Sequence, residues 1–257
     1  MRRIAVFMVV TVLLFAAAAA AGEDAAEIRA GDYVTFGSYP QTAEGTDRTP
    51  IEWLVLDVQD GKVWVISRYA LDAGPFHAED TAVTWENCTL RAWLNSDFLH
   101  TAFSDGEQAS VLLTEVDNSS AQGYGEWDRG GDGPTEDWIF LLSYAEVNRF
   151  FDAEYNVKKT RPRVAATAYA IRNGAYTRDQ WQTEDGGDVA FWWLRSPGSE
   201  PNRAATVNGV GMFWDTDVDI SDYSVRPSCW LELQAVTRAS EDAEDASAVR
   251  SPDGPAW

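Results

Sequence analysis

Two acidic stretches hold the residue types best suited to bind a ligand. Asp128, Asp132, Glu136 and Asp137 fall in the glycine-rich run DNSSAQGYGEWDRGGDGPTED (117–137), and Asp215, Asp217 and Asp219 alternate in WDTDVD. A hard cation such as calcium needs several oxygen ligands, and one loop can supply them. Asp128, Asp132 and Asp137 are therefore the candidate calcium ligands, with the later aspartates as a second set, although neither run has the spacing of an EF-hand loop. The region from Ser199 to Asp222 also has what a sugar requires: an aromatic face in Trp214, and amides or charged groups for hydroxyls in Asn202, Arg203, Asn208, Asp215 and Asp217. The competing reading packs Trp214 in the core and uses the aspartates to close turns.

Catalytic chemistry finds less support. His77 and His100 are the only histidines, and neither stands in a nucleophile or metal motif. No glycine-rich loop followed by lysine is present to cradle phosphate. A hydrolase built on two carboxylates stays open, because Asp and Glu are abundant and their pairing in space is not visible in a sequence. The two cysteines, Cys88 and Cys229, are too few for a zinc ribbon or a dense disulfide framework. They leave a choice between one disulfide and two buried thiols. A net charge of -21, from 41 acidic and 20 basic residues, disfavours nucleic acid and anionic membranes as partners. Neutral glycans, proteins or cations fit better, and the acidity also keeps a protein soluble.

The elements that would position these residues follow from periodicity. Gly31–Gln41 alternates as a strand, and Ile51–Val58 and Lys62–Ser67 flank Asp60-Gly61, a favoured hairpin turn. Leu90, Trp93, Leu94 and Phe98 recur at helical spacing. Ser104 with Glu107, and Ser143 with Glu146, have the form of capping boxes and predict helices over Asp105–Leu113 and Tyr144–Phe151. A further helix is expected over Ala165–Asn173, ending at Gly174. Trp138–Ser143, Phe191–Arg195, Ala204–Val207, Gly211–Trp214 and Ser224–Leu233 read as strands. Within FWWLRSPG (191–198), Trp192 and Trp193 point to opposite faces of a strand. Arg195 and Arg226 are read, with these tryptophans, as structural: a guanidinium can stack on a ring and bond carbonyls or a carboxylate.

Residues 1–22 have the form of a secretory signal peptide: Arg2 and Arg3, an apolar run from Ile4, then small residues before Glu23 and Asp24. An uncleaved membrane anchor is the alternative. The expected destination is the cell exterior or envelope. Residues 235–257 are polar and charged and are expected to form a disordered tail.

Taken together, VTFGSYPQ, IEWLVLDV, TWENCTLRAWLNSDFL, FLLSYAEV, ATAYAIRNGAY, WWLRSPG and SVRPSCWLEL resemble a bacterial family of domains of unknown function, the family numbered 6273 (DUF6273), from about Gly31 to Leu233. Ser228-Cys229 stands where that family's pattern has alanine and leucine. The resemblance implies a single α+β domain similar to the C-type lectin-like and sulfatase-modifying-factor folds, with short antiparallel strands, a few short helices and long loops. It also implies that the loop between the closing strands, which carries Asn202 to Asp217, is the ligand face. The paired cysteines of the formylglycine-generating enzymes are not matched, so that chemistry is not carried over. The expectation is a secreted, non-catalytic module that binds an extracellular protein or glycan. A glycan-acting hydrolase and a purely structural envelope protein are the alternatives.

Overall fold

The computed structural model describes residues 27–125, 127, 133–155, 157–183 and 186–239. The signal-peptide reading, Asp128, Asp132 and residues 240–257 lie outside them. In chain order the strands are β1 (Tyr33–Tyr39), β2 (Thr49–Gln59), β3 (Lys62–Ser67), β4 (Asp72–Ala73), β5 (Val111–Leu112), β6 (Thr114–Val116), β7 (Thr135–Asp137), β8 (Thr177–Gln182), β9 (Asp188–Ala190), β10 (Trp192–Pro197), β11 (Arg203–Val207), β12 (Phe213–Asp217), β13 (Ser224–Val225), β14 (Ser228–Glu232) and β15 (Thr237–Arg238). The helices are α1 (Thr89–Trp93), α2 (Leu99–Ala102), α3 (Asp105–Gln108), α4 (Tyr144–Phe151) and α5 (Ala168–Arg172).

Two sheets carry the fold. One has the order β15-β1-β2-β3-β14-β5, the other β12-β11-β10-β13-β4, and two separate hairpins pair β6 with β7 and β8 with β9. One contiguous core takes residues from both sheets, including Val34, Trp53 and Val65 from the first and Trp192, Val207 and Phe213 from the second. The chain passes between the sheets at Arg226-Pro227: β13 belongs to the second sheet and β14 to the first. Proline has no N–H to give a ladder, which suits a point where pairing changes partner.

The expected lectin-like α+β domain is not what forms. Strands make up 37% of the structure against 20% helix, and the sheets curl as half-barrels. The physical reason lies in the helices, which are too short to build a layer. α3 spans Asp105–Gln108 and buries no residue. The chain beyond it, read as more helix, instead turns into β5 and pairs with β14. Trp138–Ser143, read as a strand, forms only an isolated bridge from Phe140 to Ser228; Ile139–Ser143 is buried, whereas Trp138 is exposed. Ser224–Leu233, read as one strand, is broken in two by the sheet crossing.

Local signals fared better. Asp60 and Gly61 both take positive φ, 51° and 75°, as a tight turn between β2 and β3 requires. Both capping boxes form, with each serine accepting from the glutamate N–H and each glutamate accepting from the serine N–H. The Leu90–Phe98 stripe is helical and runs through a wider turn at Leu94–Phe98 into α2, burying Leu90, Leu94 and Phe98. Within the stretch expected to be tail, Thr237–Arg238 pairs with Val34 and Thr35 of β1. No helix of the described residues is long and apolar enough to cross a membrane.

Cys88 and Cys229 are both free and buried, so the alternative of two thiols is the one realised. Cys88 caps α1, its Sγ accepting from the Arg91 N–H at 3.3 Å, while Cys229 sits in β14 opposite Val65. Burial pushes the Cys88 thiol up to about 12 and raises that of Cys229 as well, so neither becomes a reactive thiolate at neutral pH. A thiol reagent at pH 8 is expected to leave the native protein unlabelled and to label two thiols per chain after unfolding without reductant. Native labelling, or no thiols after unfolding, would contradict this placement.

Candidate functional site

The site is built around the end of β10. Trp192, Trp193 and Leu194 are fully buried, and Arg195 and Ser196 are 3% exposed. The indole N–H groups of Trp192 and Trp193 donate to Pro162 O and Gly74 O at 3.1 and 2.8 Å. Arg195 then reaches two other segments. Its Nη1 donates to Leu141 O at 2.9 Å and its Nη2 to Asp117 O at 3.0 Å. Both Nη groups bond the Glu146 carboxylate, Nη2 to Oε1 at 2.7 Å and Nη1 to Oε2. Glu146 Oε2 also accepts from the Ser143 N–H at 2.8 Å, so one carboxylate caps α4 and neutralises a buried guanidinium.

Ser196 extends the junction: its hydroxyl donates to Gln122 O at 2.7 Å and accepts from the Tyr144 N–H at 2.9 Å. At Gly198 an added Cβ would lie 2.8 Å from the Arg203 carbonyl carbon, so glycine is needed for the close turn there. The Asp117 carboxyl is held below its ordinary range, first by the Ser119 N–H and then by the Ser119 hydroxyl, with a smaller effect from the Arg195 charge; burial opposes the shift.

These contacts frame a cleft of about 380 Å³. One wall is Arg195, Ser196, Pro197, Glu200, Pro201 and Arg203, and the opposite walls come from Ala82–Asn87 and Asn118–Gly123. Three buried polar atoms of lining residues have no hydrogen-bond partner: Thr84 Oγ1, Asn118 Oδ1 and Arg195 Nε. Buried polar groups are ordinarily satisfied, and these three exceptions fall on residues of one cleft.

The residues picked out from the sequence divide. Arg203 lines the cleft, but its charge is already used: Nε donates to Asp217 Oδ1 at 2.9 Å and Nη1 to Asp215 Oδ1 at 3.3 Å. Asp215 also accepts from the Ser199 N–H at 2.7 Å, and Asn202 donates to Asp80 at 2.6 Å. These side chains hold the loop in shape. Asn208 closes the far end of the β11–β12 hairpin, accepting from the N–H groups of Val210 and Met212 at 3.1 Å. Trp214 does not enter the cleft; it is 42% exposed and stacks on Tyr155 at 6.3 Å.

Asp137 is not poised for calcium. It is fully buried and accepts from Arg91 Nε at 2.6 Å, Trp85 Nε1 at 2.9 Å and Thr135 Oγ1 at 2.8 Å. A cation would have to displace Arg91. Among the described residues no group of three or more His, Cys, Asp or Glu side chains could hold a metal ion. The work of Asp137 is to fix Trp85, a cleft wall, and Arg226 has a buried position of its own between Phe151 and Trp192. Thr84, Trp85, Asn118 and Gln122 went unread in the sequence. They stand far from β10 along the chain, and no local pattern marks them.

The fold and this cleft define a predominantly β domain with a recess beside a buried arginine hub. Over residues 60–233 the chain matches the family described as Domain of unknown function (DUF6273), and it belongs to that family. No curated protein and no solved structure matches the chain.

The hub sets unequal costs for the two capping boxes. Glu146→Ala leaves Arg195 charged, buried and unpaired and is expected to cost about 3–5 kcal/mol in chemical denaturation. Glu107→Ala, at an exposed cap, is expected to cost about 1 kcal/mol or less. Equal losses would contradict the role given to Arg195.

Proposed function

We propose that this domain is a secreted, non-catalytic binding module whose cleft beside Arg195 receives a neutral extracellular ligand, a glycan segment of one or two sugar units. The carrying observation is the pair of unpartnered buried oxygens, Thr84 Oγ1 and Asn118 Oδ1, on two walls of one cleft. Amides and hydroxyls at Asn87, Asn118, Ser119 and Gln122, beside the apolar Val83, Pro197 and Pro201, suit the mixed surface of a sugar. The charges of Arg195 and Arg203 are answered by carboxylates, which favours a neutral ligand. The signal-like pattern of residues 1–22 supports a place outside the cytoplasm.

Two-carboxylate hydrolysis fits less well, since Glu200 is the one acidic residue among the described lining residues and that chemistry needs a facing pair. A protein partner is the second reading. It is favoured by the exposed Trp214, stacked on Tyr155, and by Val157, 39% exposed.

Thr84→Val gives a clean test, because the Thr84 side chain makes no cap hydrogen bond and its hydroxyl has no internal partner. On a panel of glycans with a peptide panel alongside, the wild-type protein is expected to bind a short glycan. Thr84→Val should weaken that binding about tenfold, a loss of about 1.4 kcal/mol, with unchanged stability. Trp214→Ala should bind as wild type. Loss in Trp214→Ala with retention in Thr84→Val would move the site to β12, and binding confined to peptides would favour the protein reading.

A further inference from the structure

A second cleft, of about 180 Å³, lies beside the sheet crossing and is independent of the first. In a chain with 20 basic and 41 acidic residues it is lined by four arginines, Arg68, Arg161, Arg163 and Arg226, and by no Asp or Glu among the described residues. So many like charges around a small space call for a compensating group.

Arg226 is the telling residue. It is 4% exposed, and its guanidinium lies 5.2 Å from the Phe151 ring and 5.1 Å from the Trp192 ring. Nε donates to Ser67 O at 2.9 Å, whereas Nη1 is buried with no partner. Burial lowers the pKa of the group to about 10, still well above neutral pH, so the side chain remains a cation. Arg163 repeats the pattern: Nη1 donates to Gln182 O at 3.3 Å and Nε is buried without a partner. Arg161, exposed at the rim, donates from Nη2 to Phe150 O at 3.1 Å. None of these three forms an ion pair with a described residue. Arg68 differs, since it pairs with Glu52 at 2.8 Å and lies over Tyr33, and it is counted here as part of the wall.

A buried charge is tolerated when it is paired. Guanidinium forks held by carbonyls and rings are pre-organised for the oxygens of a carboxylate or phosphate, which they bind through charge-assisted hydrogen bonds. We infer that this cleft is a binding site for a small oxyanion, a carboxylate or phosphate group, received by Arg226 and Arg163 with Arg161 at the mouth. Its volume is below the roughly 300–1,000 Å³ of sites for larger ligands, so a small anion fits better than an oligosaccharide.

The test is thermal unfolding of the full chain titrated with inorganic phosphate or with malonate, at constant ionic strength set by chloride. At a hundredfold excess over Kd, at least one of the two should raise Tm by about 5 °C or more, and saturably. Which one does so separates the phosphate and carboxylate sources. Arg161→Gln, at the exposed rim, and Arg163→Lys, which keeps the charge but loses the fork, should each keep their Tm in chloride and weaken the response about tenfold. Calorimetric titration of the wild-type protein provides a reading independent of any variant. No saturable response to either anion, or an equal response in both variants, would overturn the assignment. A linear rise shared by all three proteins is the general salting effect and would overturn it too.

Discussion

The pairing of Arg195 with Glu146 is the constraint on which the rest of the site depends. A guanidinium 3% exposed must have its charge answered, and the chain meets that demand at both Nη groups by bringing two other segments to the end of β10, leaving only Nε without a partner. Leu141 and Asp117 supply carbonyls, and the cap of α4 supplies the carboxylate. The stretch after Asp117, with Arg195 and the turn after Pro197, lines the larger cleft. Arg195 thus joins one wall of the recess to the segment after Asp117, and two buried oxygens of its lining residues, Thr84 Oγ1 and Asn118 Oδ1, are left without a partner.

A second buried arginine stands at the sheet crossing. Arg226 stands where the chain leaves one sheet for the other, and its Nε holds Ser67 O while Pro227 O accepts from the Ser67 N–H. Trp192 links the two regions: it begins β10, which leads to Arg195, and its ring lies against the Arg226 guanidinium. The two arginines differ in how their charges are met. Arg195 finds its carboxylate within the fold, whereas Arg226 has none among the described residues.

What could be read from the sequence was local. The Asp60-Gly61 turn, the two serine-glutamate caps and the Leu90–Phe98 stripe depend on neighbours within a few residues, and each forms. The fold class depended on how far short elements extend, and there the reading failed: residues beyond α3 joined a sheet edge, and Arg226-Pro227 divided one expected strand between two sheets. The candidate site was half legible. Arg195 and the loop after it could be picked out, but Thr84 and Asn118 acquire meaning only when the fold sets them opposite β10. Asp137 and Asp215 looked like free ligands because a sequence does not show Arg91 or Arg203 beside them.

The central claim, that Arg195 ties distant segments into one unit, is tested most directly by amide hydrogen exchange in the wild-type protein and in Glu146→Gln. The neutral amide keeps the shape of the carboxylate and removes its charge. The account predicts a joint loss of protection across Asp117–Gly123, Leu141–Val147 and Leu194–Gly198. A loss confined to the first turn of α4 would show Glu146 to be a helix cap and nothing more, and would contradict the account.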